Sequence, residues 1–208
     1  MVVFGLGNPG REYERTRHNL GFMVLDRLAH DLGARFRTDR DRQLAHVQIS
    51  GGRCELVKPM GYMNNSGAAA RGFLEKHHED FLVVFDDIDL PFGRIRIRTR
   101  GSDGGHQGMA DIIRCLETMN FPRVRMGIGV RTAGLDAAVW VLDRFTEAEE
   151  SHLPDVVAAG RDAVVTIVEN GITPAMNRFN ALNLMPSSGP SSSGPGSTKH
   201  EAKRDEAT

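Results

Sequence analysis

Hydrophobic residues in this chain come in short blocks with two different periods. Met1 to Phe4 is a brief apolar run of strand length, and it stops at the turn-forming cluster Gly5-Leu6-Gly7-Asn8-Pro9-Gly10. Leu20, Val24, Leu25, Leu28 and Leu32 then recur at helical spacing, with Gly33 placed as a C-cap. Leu44 to Ser50 and Arg53 to Lys58 alternate as two strands of a hairpin about Gly51-Gly52, and Pro59 ends the second. Ala68 to Lys76 is a helical stretch that Asn64 or Ser66 could cap. Phe81 to Phe85 is continuously apolar and runs into Asp86-Asp87, the pattern of a buried parallel strand with carboxylates at its mouth.

The second half repeats the alternation of strand and helix. Arg94 to Arg100 reads RIRIRTR, so at period two the arginines share one face and Ile95 and Ile97 the other. A glycine-rich loop from Gly101 to Gly108 precedes a helix from about Met109 to Leu116. Arg123 to Val130 predicts a strand and Val139 to Leu142 a short element. Glu147 to Glu169 predicts a helix broken at Pro154, and Ile172 to Phe179 a last short one. Strands alternating with helices imply an α/β fold with a mixed sheet. We expect a single domain over residues 1–185. From 186 to 208 the composition turns to Ser, Gly and Pro with mixed charges, and a disordered tail is expected.

Composition narrows the function. The 208 residues carry 26 basic and 27 acidic side chains, so a globally basic nucleic-acid binder is disfavoured, although a local patch is not. Lysine occurs only at positions 58, 76, 199 and 203, an arginine preference that suits phosphate contacts but is better explained by a genomic bias. No apolar run approaches the roughly 18 residues of a membrane helix, and the chain enters a strand at once, without a leader pattern. Cys54 and Cys115 have no metal or redox spacing and fit ordinary packing in a reducing compartment. The eight histidines are scattered apart from His77-His78, so neither a metal nor a cofactor is expected.

Gly5-x-Gly7-x-x-Gly10 matches a dinucleotide fingerprint literally, but that motif needs a helix to start inside it. Here Asn8-Pro9-Gly10 makes a turn and helical periodicity waits until about His18, so the cluster reads as a loop presenting Asn8 and His18. There is no nucleophile elbow, Walker loop or zinc helix. What remains is a polar set on separate loops: Asn8 and His18, Asn64, Asp86, and His106-Gln107. A neutral histidine can take a proton from water, a carboxylate can fix its tautomer, and amides can orient water or an oxyanion. That inventory suits hydrolysis of an activated acyl group without a covalent nucleophile. The arginine face on its own reads first as a solvated strand face, and only second as a phosphate contact.

Six blocks carry a resemblance: GLGNPGREYERTRHNLG, KPMGYMNNSG, VVFDDIDLPFG, GSDGGHQGM, RVRMGIG and NGITPAMNRFN. In order and spacing they resemble bacterial peptidyl-tRNA hydrolases over roughly residues 1 to 183. The resemblance implies a three-layer α/β domain whose mixed central sheet is flanked by helices, and an enzyme that cleaves the ester between peptide and tRNA. It implies His18 as general base, Asp86 as its partner, and Asn8 as the sensor of the peptide's first amide. Tyr13, Tyr62, Met63 and Asn64 would line the cleft for peptide and terminal adenosine, and Gln107 would bind substrate at the glycine-rich loop. Arg96, Arg98 and Arg125 would contact tRNA phosphates. A cytoplasmic monomer is expected. The chain departs from the family where His106-Gln107-Gly108 replaces the usual His-Asn-Gly, where Asp103 adds an acid, and where Val130-Arg131-Thr132 lacks a proline. A non-catalytic RNA-binding relative of the same fold is the alternative, and a nucleotide-dependent oxidoreductase rests on the three glycines alone.

Overall fold

The computed structural model describes residues 1–185 apart from His78 and Thr132; the expected tail, 186–208, lies outside the described residues. Seven strands form one mixed sheet. They are β1 (Val2–Gly5), β2 (Arg37–Asp39), β3 (Arg42–Ile49), β4 (Gly52–Pro59), β5 (Phe81–Asp87), β6 (Ile95–Arg98) and β7 (Arg123–Gly127), in the spatial order β2-β3-β4-β1-β5-β7-β6. The middle four, β4-β1-β5-β7, run parallel; β2, β3 and β6 are antiparallel additions at the sides.

The period of two in the strands explains the layering. Val3, Leu56, Val84, Val124, Ile95 and Ile97 point to one face. There they meet α1 (Leu20–Asp31), α5 (Glu147–Asn170) and α6 (Ile172–Phe179). Val2, Phe4, Val57, Val83 and Phe85 point to the other, against α2 (Ser66–His77) and α3 (Gln107–Leu116). Two apolar clusters on opposite faces make the expected three layers. A short helix α4 (Ala137–Leu142) carries no buried residue and stands beside the sheet's end.

Two local expectations need correction, and one strand was not expected. In the hairpin Ile49 pairs with Gly52, so the turn is Ser50-Gly51 rather than Gly51-Gly52. Both turn residues have positive φ, 49° and 80°, as a two-residue hairpin whose twist matches its strands requires. Pro154 does not break α5, which runs for 24 residues. Pro154 is exposed, while Leu153, Val156 and Val157 are buried and hold the helix in line. Strand β2 went unforeseen because all three residues are exposed.

One close approach aims the site. α1 starts hard against the ends of β1 and β5, where a Cβ on Gly21 would lie 2.4 Å from the Val84 carbonyl oxygen. The turn before α1 is thereby placed over the C-terminal ends of the parallel strands, where open α/β sheets collect their ligands. No helix among the described residues is long and apolar enough to cross a membrane.

Candidate active site

Asp86, the penultimate residue of β5, is 2 % exposed and lies between two histidines. His18, from a single 3₁₀ turn at Arg17–Asn19, brings Nδ1 to 3.0 Å from both carboxylate oxygens. His106 brings Nε2 to 3.0 Å from Oδ1. Burial by itself would raise the Asp86 pKa, but the charge of His18 and His106 and their hydrogen bonds outweigh it, and the carboxyl is held well below the usual range.

The protons in this group follow from one helix cap. His106 caps α3 with its side chain, Nδ1 accepting from the Met109 N–H at 3.2 Å. An acceptor at Nδ1 leaves the proton of the neutral ring on Nε2, which donates to Asp86. The carboxylate also needs a donor from His18, so Nδ1 of that ring is protonated and Nε2 keeps the free lone pair. The same assignment bears on metals. Ligand atoms of His18, Asp86 and His106 lie within 4.8 Å of one another. Coordination through His106 Nε2 would move its proton to Nδ1, against the Met109 N–H, so the capped tautomer opposes a metal there.

Asn8 is fixed just as tightly. Its Oδ1 accepts from the Met63 N–H at 2.7 Å. Its backbone N–H donates to Asn19 Oδ1 at 2.8 Å, and Asn19 Nδ2 returns a bond to the Asn8 carbonyl at 2.9 Å. With the oxygen committed, Nδ2 of Asn8 is left as a donor. A cleft of about 400 Å³ gathers Asn8, Tyr13, His18, Tyr62, Met63, Asn64, Asp86, Gln107 and Arg125. Phe85, Ile88 and the α4 residues Ala137, Ala138, Val141 and Leu142 complete its apolar side. Tyr62 is 65 % exposed at the rim. Asn64 is exposed and its side chain makes no hydrogen bond among the described residues, so it does not cap α2.

Arg96 and Arg98 stand outside the cleft, half-buried on edge strand β6, with Ile95 and Ile97 fully buried behind them. Their neighbours across β7 are Arg125 and Arg123. Arg125 lines the cleft and donates from Nε to Asp87.

The peptidyl-tRNA hydrolase family model matches residues 2–187. The peptidyl-tRNA hydrolase of Chloroflexus aggregans is 47% identical over 186 residues, covering 87% of this chain and 99% of that protein. The Fervidobacterium nodosum enzyme is 46% identical, covering 88% and 98%. Among solved structures, Acinetobacter baumannii peptidyl-tRNA hydrolase superposes with a TM-score of 0.83 at 32% identity, covering 88% of this chain and 96% of the other. The chain belongs to the peptidyl-tRNA hydrolase family.

Set against that family's pattern, the departures take a physical form. Asp103 shapes the glycine-rich loop, its Oδ1 accepting from Gly105 N–H at 2.8 Å and its carbonyl from His106 N–H at 3.2 Å. Gln107, in the first turn of α3, is exposed, with its side chain free among the described residues. Four contributors lay outside the site assigned from sequence. His106 belongs to the polar set, but no signal in the sequence gives its role. Arg17, 1 % exposed, and Asn19 sit in the same turn as His18 and looked like ordinary polar residues. Arg123 is buried under the glycine-rich loop and donates to the carbonyls of Gly101, Ser102 and Met119. Burial, and then the Arg125 cation, push its pKa down to about 10, so it remains charged at neutral pH.

Proposed function

We propose that this chain hydrolyses the ester between peptide and tRNA in peptidyl-tRNA, returning free tRNA to translation. One observation carries the reading: within a chain of this family, Asp86 bonds His18 through Nδ1 and leaves Nε2 of that ring as a free base at the cleft. Water held by His18 Nε2 loses a proton as it attacks the ester carbonyl. Asp86 stabilises the imidazolium that forms, and His106 keeps the carboxylate aimed. The proton then passes to the departing 3′ oxygen of the terminal ribose. The Asn8 amide meets the carbonyl of the peptide's first amide bond, a group that an aminoacyl-tRNA lacks, so the unblocked ester is spared. Tyr13, Tyr62, Met63, Asn64 and Gln107 surround the peptide and the terminal adenosine. Arg96, Arg98 and Arg125 take the phosphates, whose sequence-independent charge suits a substrate class sharing only a backbone. Residues 1–185 form the catalytic unit, acting as a monomer in the cytoplasm.

The test compares release of label from peptidyl-tRNA and from aminoacyl-tRNA by the wild-type chain and by His18→Ala. Wild type should cleave the first and spare the second, in the presence of EDTA as in its absence. The variant should lose roughly 10²–10⁴-fold in rate, or more, while still binding tRNA. Tight binding without cleavage by wild type would instead make this an RNA-binding relative.

A further inference from the structure

The buried cation next to the base has no part in the chemistry proposed above, and its contacts converge from four segments. Arg17 Nη1 donates to the Ile128 carbonyl at 2.7 Å, just past β7. Its two terminal nitrogens hold Glu149 at 3.1 and 2.7 Å, in the first turn of α5. The guanidinium carbon lies 4.0 Å from the ring centre of Trp140 on α4 and 4.9 Å from that of Phe145. Its backbone N–H donates to the Asp143 carbonyl at 3.0 Å, and Thr16 bridges to Arg144. Among the described elements, the Arg17–Asn19 turn is the one against which α4 chiefly packs. Yet α4 supplies Ala137, Ala138, Val141 and Leu142 to the cleft opposite the base. The helix has no fully buried residue, and besides the Arg17 contacts it is held by Trp140 and Val141, partly buried against the main core; six residues do not make a stable helix without such packing.

We infer that Arg17 is a positioning residue that sets the α4 wall of the cleft relative to His18. The inference rests on the reading of the cleft given above. Glu149 is suited to the other half of the lock: it is the acidic member of a capping box, accepting from the Thr146 N–H at 2.8 Å while it holds Arg17. Arginine is required because one planar group must chelate a carboxylate, reach a carbonyl and stack on an indole at once; lysine offers a point charge and no stacking plane. The wall touches bound peptide in ground and transition states alike, so loosening it removes uniform binding.

Trp140 is the sole tryptophan, which makes the wall optically visible. The experiment uses the full-length chain carrying Arg17→Lys, and the double change Arg17→Met with Glu149→Gln, which leaves no buried charge unpaired. Thermal melting establishes folding, acrylamide quenching of Trp140 reports the wall, and kcat, KM and Kd are measured on one peptidyl-tRNA. Trp140 should become more quenchable, and KM should rise about tenfold while kcat stays within about threefold. Looser Trp140 with unchanged KM, a fall in kcat alone, or unaltered quenching in both folded variants would each overturn the inference. An inactive wild-type chain would defeat the catalytic reading instead, and Kd for the same substrate would then decide this one by the same tenfold criterion.

Discussion

Asp86 accepts hydrogen bonds from two imidazoles where water scarcely reaches, so its charge is tied to the folded state. A carboxyl whose folded pKa is depressed stabilises the fold above its unfolded value and loses that contribution as pH falls from there toward the folded one. The window therefore opens near 3.8 and extends downward. Melting temperature followed from pH 5 toward pH 2 should show a shallower acid decline in Asp86→Asn than in wild type; parallel curves would mean that the two histidines do not hold the carboxylate. The variant should also turn over slowly, because a neutral amide cannot stabilise the imidazolium that forms on His18. Gln107 is one methylene longer than the asparagine that the resemblance implies here, and it sits exposed beside Gly104 and Gly105, whose positive φ values suit glycine. Gln107→Asn should keep kcat/KM within about tenfold, roughly 1.4 kcal/mol, and Gln107→Ala should fall further. Equal activity for alanine and glutamine would remove the amide from the site. The motifs already imply the pairing of His18 with Asp86 that the geometry shows. The role of His106 could not be read there, because its helix cap and its bond to Asp86 use opposite nitrogens of one ring and the sequence shows neither.

At the scale of elements, β6 shows what alternation can and cannot reveal. Ile95 and Ile97 are fully buried and Arg96 and Arg98 half-exposed, as a period of two requires. Replacing Arg96 and Arg98 together with glutamine should weaken tRNA binding and flatten log Kd against log salt, by about 0.7 to 0.9 per lost contact. Cleavage of a small ester analogue lacking the tRNA body should hardly change; equal damage to both substrates would make the arginines structural. The helix Ile172–Phe179 was legible to its end residues because its apolar stripe is clean. Strand β2 had no apolar residue to announce it, and only its antiparallel pairing to β3 identifies it. The continuity of α5 through Pro154 was hidden for a related reason: packing of Leu153, Val156 and Val157 overrides a local penalty that sequence displays more loudly than burial.

For the molecule as a whole, the layers were legible because adjacent residues such as Val2 and Val3 serve opposite cores. The interior of the site was not. Thr16, Arg17, His18 and Asn19 are four successive polar residues, all buried, and a hydropathy pattern assigns such a run to the surface. Their partners are remote, Glu149 lying 132 positions from Arg17 and Asp86 lying 68 from His18. Asn180, just past α6, takes the Ile97 N–H on Oδ1 at 2.6 Å and gives Nδ2 to the Ile97 carbonyl at 3.2 Å. Arg94 reaches the Leu182 carbonyl at 2.9 Å and bridges to Asn183. One amide side chain thus imitates a neighbouring strand, and it occupies the rim from which the sheet could otherwise recruit another molecule. A chain ending at Phe179 should therefore polymerise through β6, raising light scattering with protein concentration, while Asn180→Ala, which keeps the Arg94 contacts, should do so only weakly. If the shortened chain stays monodisperse, the rim is protected by its arginines alone.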